Sequence, residues 1–289
     1  MITVLAWGTW LAPSQNVPLK NQQIKAFYVG SVNLILAFLI SLGLGLGQVT
    51  WSGFWLPFLG GLIWALSGLC AFTATHHLGM ARAFGIWAPL NIMVSLVCGV
   101  VMFQEFRNTS WLNQLLLAGA IVVIIAGVLL IIFARGGDSG PRPHQNRALG
   151  LLGALGAGVL WGIYFIPIKL SGVSMWIGAL PMAAGIFTGS GLLVLLGRQS
   201  PRLERRGDYW RIGATGLLWT TGNYGMLLLV GHLGAGKGYT IAQLSVVVNA
   251  LVGIFLLKDP LPGSRAAGMT LIGCVLATAG GILLGNLNK

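Results

Sequence analysis

Charge is what this sequence has least of. Only 8% of its 289 residues are charged, and just five are acidic, whereas a soluble domain carries about 25% charged residues. A chain so poor in charge cannot clothe a water-facing surface, which excludes an ordinary soluble globular domain. Cysteine is nearly as scarce. Cys70, Cys98 and Cys274 fall inside apolar runs with no paired spacing, so they read as small packing residues, neither disulfides nor metal ligands. Catalytic signatures are missing as well: there is no Gly-rich phosphate loop, no HExxH pair and no metal-ligand cluster. Ser67-Gly68 and Ser190-Gly191 are the nearest approach to a hydrolase nucleophile. Neither an enzyme nor a cofactor is expected.

What the chain has instead is apolar length. Hydrophobic residues make up 56% of it, mean hydropathy is +0.84, and about 20 apolar residues in helical form span a bilayer. Ten such spans are predicted, at 2–19, 26–47, 54–75, 81–103, 112–134, 148–169, 175–197, 211–232, 239–257 and 266–286. The runs are too long and continuous for barrel strands, and a helix pairs its backbone groups internally in lipid. The fold class is therefore an all-α integral membrane protein. The opening "MITVLAWGTWLAP" lacks a basic n-region and a small-residue cleavage site, so it reads as the first span rather than a signal peptide.

The net charge of +12 is a topology signal rather than a nucleic-acid footprint. Loops after odd-numbered spans hold thirteen of the 17 basic residues, among them Lys20, Lys25, Arg82, Arg202, Arg211 and Lys258. The opposite side holds Arg107, Lys169, Lys237 and Lys289. By the positive-inside rule the odd loops face the cytoplasm and both termini lie outside the cell membrane.

The chain is also written twice. "WGTWLAP" (7–13) aligns with "WGIYFIP" (161–167) at an offset of 154, and Trp64 with Trp219 at 155. "HLGMARAF" (77–84) aligns with "HLGAGKGY" (232–239), marking one corner between spans 3 and 4 and its twin between spans 8 and 9. Gly79 and Gly234 suit tight turns there, with Arg82 and Lys237 placed at the interface. After a one-residue gap Glu105 aligns with Asp259, Gly119 with Gly273 and Gly127 with Gly281. The organisation is a first five-helix repeat at 1–134, a connecting loop at 135–147 and a second repeat at 148–289. An odd number of spans per copy inverts one copy against the other, an architecture of secondary transporters that bind substrate at the repeat interface.

Polar groups within apolar helices face partners or a wet pathway. Asn91 and Ser95 align with Ser245 and Asn249, each pair spaced i, i+4 on one helix face. Interhelical ties and a substrate wall both fit that pattern. Gln243 stands opposite Pro89, so it has no polar mate and suggests substrate specificity. "WTTGNYG" places Trp219 and Asn223 on one face and Thr220 and Tyr224 on a neighbouring one. Trp51, Trp55, Trp111, Trp176 and Trp210 sit at span ends, as interfacial belts require. Trp7, Trp64, Trp161 and Trp219 form repeat-matched pairs inside spans, with Trp10 and Tyr164 as a looser third pair. Rings beside amides suit a sugar, an aromatic amino acid or a base, and core packing accounts for rings equally well. No carboxylate lies mid-span: Glu105, Asp138, Glu204, Asp208 and Asp259 are at span ends or in loops. Coupling to H+ or Na+ thus has no mid-membrane acid to rest on.

With "WGTWLAP", "GGLIWALSG", "HLGMARAFGIWAPLN", "WGIYFIPIK", "GLLWTTGNYG" and "HLGAGKGYTIAQLSVVVNALVGIFLLKD" in view, the chain resembles the drug/metabolite transporter superfamily. Within it the resemblance is to the glucose/ribose-porter and L-rhamnose-symporter branch. It implies ten helices in two inverted repeats, a central cavity lined by helices 1, 3, 4, 6, 8 and 9, and uptake of a monosaccharide, often with a cation. It also implies peripheral helices 5 and 10, where Gly119/Gly127 and Gly273/Gly281 give close-contact stripes. One departure is that Pro13 is followed by "SQNVPLK" where some relatives carry lysine pairs. The expected function is a secondary active transporter of a small polar solute, a monosaccharide first, working by alternating access as a monomer in the lipid bilayer. The expected substrate-binding residues are Trp10, Trp64, Asn91, Trp161, Tyr164, Trp219, Asn223, Gln243, Ser245 and Asn249. An exporter of amino acids or amphipathic metabolites is the alternative on the same fold, and a receptor-like or scaffold protein a third class.

Overall fold

The structure, a computed structural model, describes the backbone of residues 1–19, 21–44, 50–103, 110–134, 146–198 and 200–287, and their side chains except at 44, 103, 230 and 234–240. Lys20, Glu105, Arg107, Asp138, Lys289 and most of the 135–147 connecting loop lie outside the described residues, as does the side chain of Lys237. Every described element is helical: α1 (Ile2–Thr9), α2 (Gln22–Leu44), α3 (Trp51–Leu78), α4 (Met80–Phe103), α5 (Trp111–Phe133), α6 (Arg147–Ile163), α7 (Phe165–Leu170), α8 (Met175–Leu196), α9 (Arg206–Ala242), α10 (Leu244–Leu251) and α11 (Arg265–Leu287). Helix starts follow local chemistry. Thr50, Ser110, Asn146 and Ser174 each accept a hydrogen bond from the backbone N–H three residues on, satisfying a donor that the first turn leaves open. Among the described residues, seven helical stretches are long and apolar enough to cross a membrane, so the chain is a multi-pass membrane protein.

Four predicted spans run differently. The first stops at Thr9, followed by a short 3-10 turn, Ala12–Ser14, around Pro13, which has no N–H to extend a helix. The sixth is nicked at Tyr164, where α6 gives way to α7. Spans eight and nine are not separated at Gly234: the backbone stays helical from 206 to 242, and the break falls at Gln243. A continuous helix leaves no backbone group unpaired, an advantage in lipid that a glycine-permitted turn does not offer. Gly79, by contrast, does turn. Its φ of 81° takes the chain from α3 into α4, and a β-carbon there would overlap the Asp259 carboxylate arriving from the far half.

The helices pack in pairs: α3 with α6 and α8, α4 with α6 and α10, α1 with α9 and α10, α2 with α8 and α9, and α5 with α11. The α5–α11 contact rests on glycine, but on fewer glycines than expected. A β-carbon on Gly127 would lie 2.6 Å from the Gly273 carbonyl oxygen, whereas Gly119 faces open space and Gly281 faces Ile92 and Gln243 instead. Gly280 supplies the remaining close approach, against Ala120 and Ile124.

The tail of α1 is pinned by polar contacts. Arg211 Nε donates to the Pro13 carbonyl (2.8 Å), Lys25 Nζ to the Ser14 carbonyl (3.0 Å), Thr215 Oγ1 to Ser14 Oγ (2.8 Å) and Gln15 Nε2 to the Thr75 carbonyl (2.8 Å). Lys25 is therefore a buried anchor on α2, 5.5 Å from the centre of the Phe72 ring, and not a loop charge. Arg82 is likewise buried rather than interfacial. The repeat-matched place in the other half is apolar: Gly60, aligned with Thr215, packs under Ile168, aligned with Ser14. Trp51, Trp111 and Trp210 stand exposed at helix starts, as interfacial anchors do.

Candidate functional site

A cavity of about 130 Å³ lies among α1, α3, α4, α6, α9 and α10. Trp64, at the midpoint of the 28-residue α3, lines it, so the cavity sits at mid-span depth. Its volume holds about ten water-sized spheres, the scale of one monosaccharide. Nine of the ten expected site residues line it: Trp10, Trp64, Asn91, Trp161, Tyr164, Trp219, Asn223, Gln243 and Ser245. Asn249 does not. It is fully buried behind the wall and donates from Nδ2 to the Gly8 carbonyl (3.1 Å).

Breaks in the helices place several of these side chains. Trp10 follows the last residue of α1, Tyr164 joins α6 to α7, and Gln243 joins α9 to α10. Interrupted helices are a common way to bring irregular backbone to a mid-membrane site. Among the described residues the Gln243 amide makes no hydrogen bond, leaving both its donor and acceptor ends available.

The i, i+4 pairs on α4 and α10 divide their labour. The deeper member of each ties helices together: Ser95 Oγ donates to the Gly162 carbonyl (3.1 Å), as Asn249 does to Gly8. Gly8 and Gly162 are repeat-matched, and each approaches a valine of the facing helix, Val248 and Val94, that is repeat-matched too. The other member, Asn91 or Ser245, faces the cavity.

The aromatic wall is built around Trp161. Its ring lies 5.8 Å from Trp64, 6.5 Å from Trp10 and 5.5 Å from Trp87, the last two edge-on. Trp64 and Trp219 meet at 4.3 Å. Such ring pairs stiffen one another. The Trp161 N–H is buried without a partner, whereas the matching Trp7 N–H donates to Asn223 Oδ1 at 3.2 Å. The repeat alignment explains the difference, because the position matching Asn223 is Gly68, which has no acceptor to give.

Trp7, Phe84, Trp87, Ala88, Ile92, Ala242 and Val246 complete the lining and were not among the expected residues. Trp87 had a signal: it precedes Asn91 by four residues and so shares its helix face. Among the described residues the lining contains no carboxylate, ammonium, guanidinium or imidazole. Asp208 and Asp259 lie at helix ends, and Ser67 and Ser190 donate to carbonyls of their own helices, which leaves neither poised as a nucleophile. Its described lining is a wall of rings with a few amide and hydroxyl groups.

Comparison with known proteins agrees with that chemistry. The chain is 27% identical to the "Putative sugar uptake protein" of Enterococcus faecalis over 292 residues, covering 99% of this chain and 96% of that protein. It is 26% identical to the "Probable glucose uptake protein GlcU" of Bacillus cereus over 225 residues, covering 78% and 76%. One crystal structure superposes with a TM-score of 0.58 at 17% identity, over 98% of this chain and 93% of the other, a likeness of fold. Residues 1–287 match the family described as Sugar transport protein, and the chain belongs to that family of membrane transporters.

Proposed function

We propose that this protein carries a neutral monosaccharide across the cell membrane by alternating access. The observation that carries the reading is the mid-span cavity itself, whose lining offers rings for the C–H faces of a sugar and amides for its hydroxyls, with no charged group among the described residues. An amino acid, the substrate of the rival exporter reading, would bring a carboxylate and an ammonium into a chamber whose described lining has no charge to pair either. Desolvating them there costs several kcal/mol.

The transport cycle rests on an inverted-repeat frame of ten spans, with both termini outside and the odd loops in the cytoplasm. Exchanging the halves supports it: the α3–α6 contact maps onto α9–α1, α4–α6 onto α10–α1, and α4–α5 onto α10–α11, while α5–α11 and α4–α10 map onto themselves. Rocking α1 to α4 against their counterparts would expose the cavity to either side in turn. A single chain walls the cavity, which favours a monomer. The resemblance noted in the sequence favours the branch of the drug/metabolite transporters that includes L-rhamnose symporters.

The test is thermal stabilisation of the detergent-purified protein against monosaccharides, amino acids and nucleosides, since a ligand of the folded state raises its melting temperature. Stabilisation by a monosaccharide, followed by its uptake into proteoliposomes, is the expected result. Stabilisation by amino acids alone would overturn the sugar assignment.

A further inference from the structure

Asn223 lines the cavity with an amide whose orientation is set by chemistry. An indole N–H only donates, so the atom of Asn223 that faces Trp7 Nε1 at 3.2 Å must be the carbonyl oxygen. The NH2 group then points away from Trp7, and no described residue accepts from it. The contact is built into α9. A β-carbon on Gly222 would overlap the Trp7 indole, so the glycine lets the ring approach the helix closely beside the residue it bonds. It belongs to one half only, since Ser67 and Gly68 stand at the places matching Gly222 and Asn223.

We propose that Trp7 is a positioning residue: by occupying Oδ1 of Asn223 it makes the NH2 group what this wall offers, so the site selects an oxygen acceptor at one position of the sugar. An amide free to rotate offers either end and discriminates little. One held by a donor-only neighbour presents two N–H bonds and no lone pair. A hydroxyl there serves as acceptor, fluorine in its place keeps acceptor character, and hydrogen offers nothing. The inference rests on the monosaccharide reading above.

The experiment measures affinities of the purified wild-type protein and of Trp7→Phe. D-glucose, D-ribose and L-rhamnose are tried first, then every monodeoxy, monofluoro and monoamino derivative of the tightest binder. In the wild type, one ring position should tolerate fluorine while its deoxy analogue binds about tenfold more weakly, the effect of one lost hydrogen bond to a desolvated donor. The amino analogue, whose ammonium only donates, should bind there no better than the deoxy one. In Trp7→Phe the released amide can turn its oxygen to the sugar, so the affinity of the amino analogue relative to the deoxy one should rise about tenfold at that position alone. Gly222→Ala, which pushes the indole away, should produce the same rise. A purely structural role for Trp7 would weaken all derivatives in proportion and produce no such rise, and that result overturns the proposal. So does a wild type that binds fluoro and deoxy analogues equally poorly at every position. Where either variant fails to fold, a tryptophan analogue at position 7 with sulfur in place of the indole N–H keeps the ring and removes only the donor. Failure of all three sugars to bind the wild type would refute the monosaccharide reading itself, and this inference with it.

Discussion

The same substitution made twice in α5 should have opposite effects. Gly119 and Gly127 lie on one helix eight residues apart, and replacing either by alanine brings the same gain in helix propensity, about 0.5–1 kcal/mol. Their surroundings differ. A β-carbon at 119 meets nothing within 4 Å, so the gain stands alone. At 127 it would lie 2.6 Å from the Gly273 carbonyl oxygen and 2.8 Å from the Ala277 backbone nitrogen. These are main-chain atoms of a packed helix, with no side chain to swing aside. Opening α5 from α11 to make room costs about 1–3 kcal/mol, the usual range for overpacking. Because the propensity gain is common to both variants, the difference between them isolates that packing cost. The assay is thermal unfolding of Gly119→Ala and Gly127→Ala in one detergent at one protein concentration. Gly119→Ala should melt at or above the wild type and Gly127→Ala several degrees below it. Equal melting temperatures would refute the idea that α5 and α11 meet backbone to backbone at Gly127.

Further outcomes follow from the site. Gln243→Ala should weaken sugar binding about tenfold, the loss of one to two hydrogen bonds, without lowering the melting temperature; unchanged affinity in a binding titration would remove Gln243 from the wall. Asn249→Ala should do the reverse, lowering stability by about 1–3 kcal/mol because the buried Gly8 carbonyl loses its donor, while the folded fraction binds sugar normally. Lys25→Met should be tolerated far better than Lys25→Ala: both leave the Ser14 carbonyl without its donor, but methionine keeps most of the buried stem volume while alanine adds a void; similar melting temperatures for the two would contradict the buried-anchor role.

Much of the site was legible in the sequence because the chain is written twice. Matching positions filtered Trp64, Trp161 and Trp219 from the interfacial tryptophans, and the structure brings those three together with Trp10 and Tyr164. The same filter hid Trp87, whose matched position is Ile241, although its spacing to Asn91 marks the same face. Asn249 shows the limit of helical periodicity. Residues four apart share a side of the helix, but one turn of depth separates a cavity from a helix–helix contact. Counting charges by loop assigned Lys25 to the loop after the first span and could not see that it lies on α2 with its amine reaching back to a carbonyl. The break at Gln243 was displaced from the glycines at 231–238 because local turn chemistry permits a turn without requiring one.

The cavity lining, uncharged among the described residues, has an electrical consequence. Moving one elementary charge through the membrane potential involves about 2.3 kcal/mol per 100 mV, but the neutral solute proposed above, held against such a lining, moves none. The wall formed by Trp161, Asn223 and Gln243 is therefore blind to voltage. Any dependence of flux on membrane potential would have to be carried by an ion held elsewhere in the chain, so a voltage-clamped flux measurement separates the binding chamber from whatever drives it.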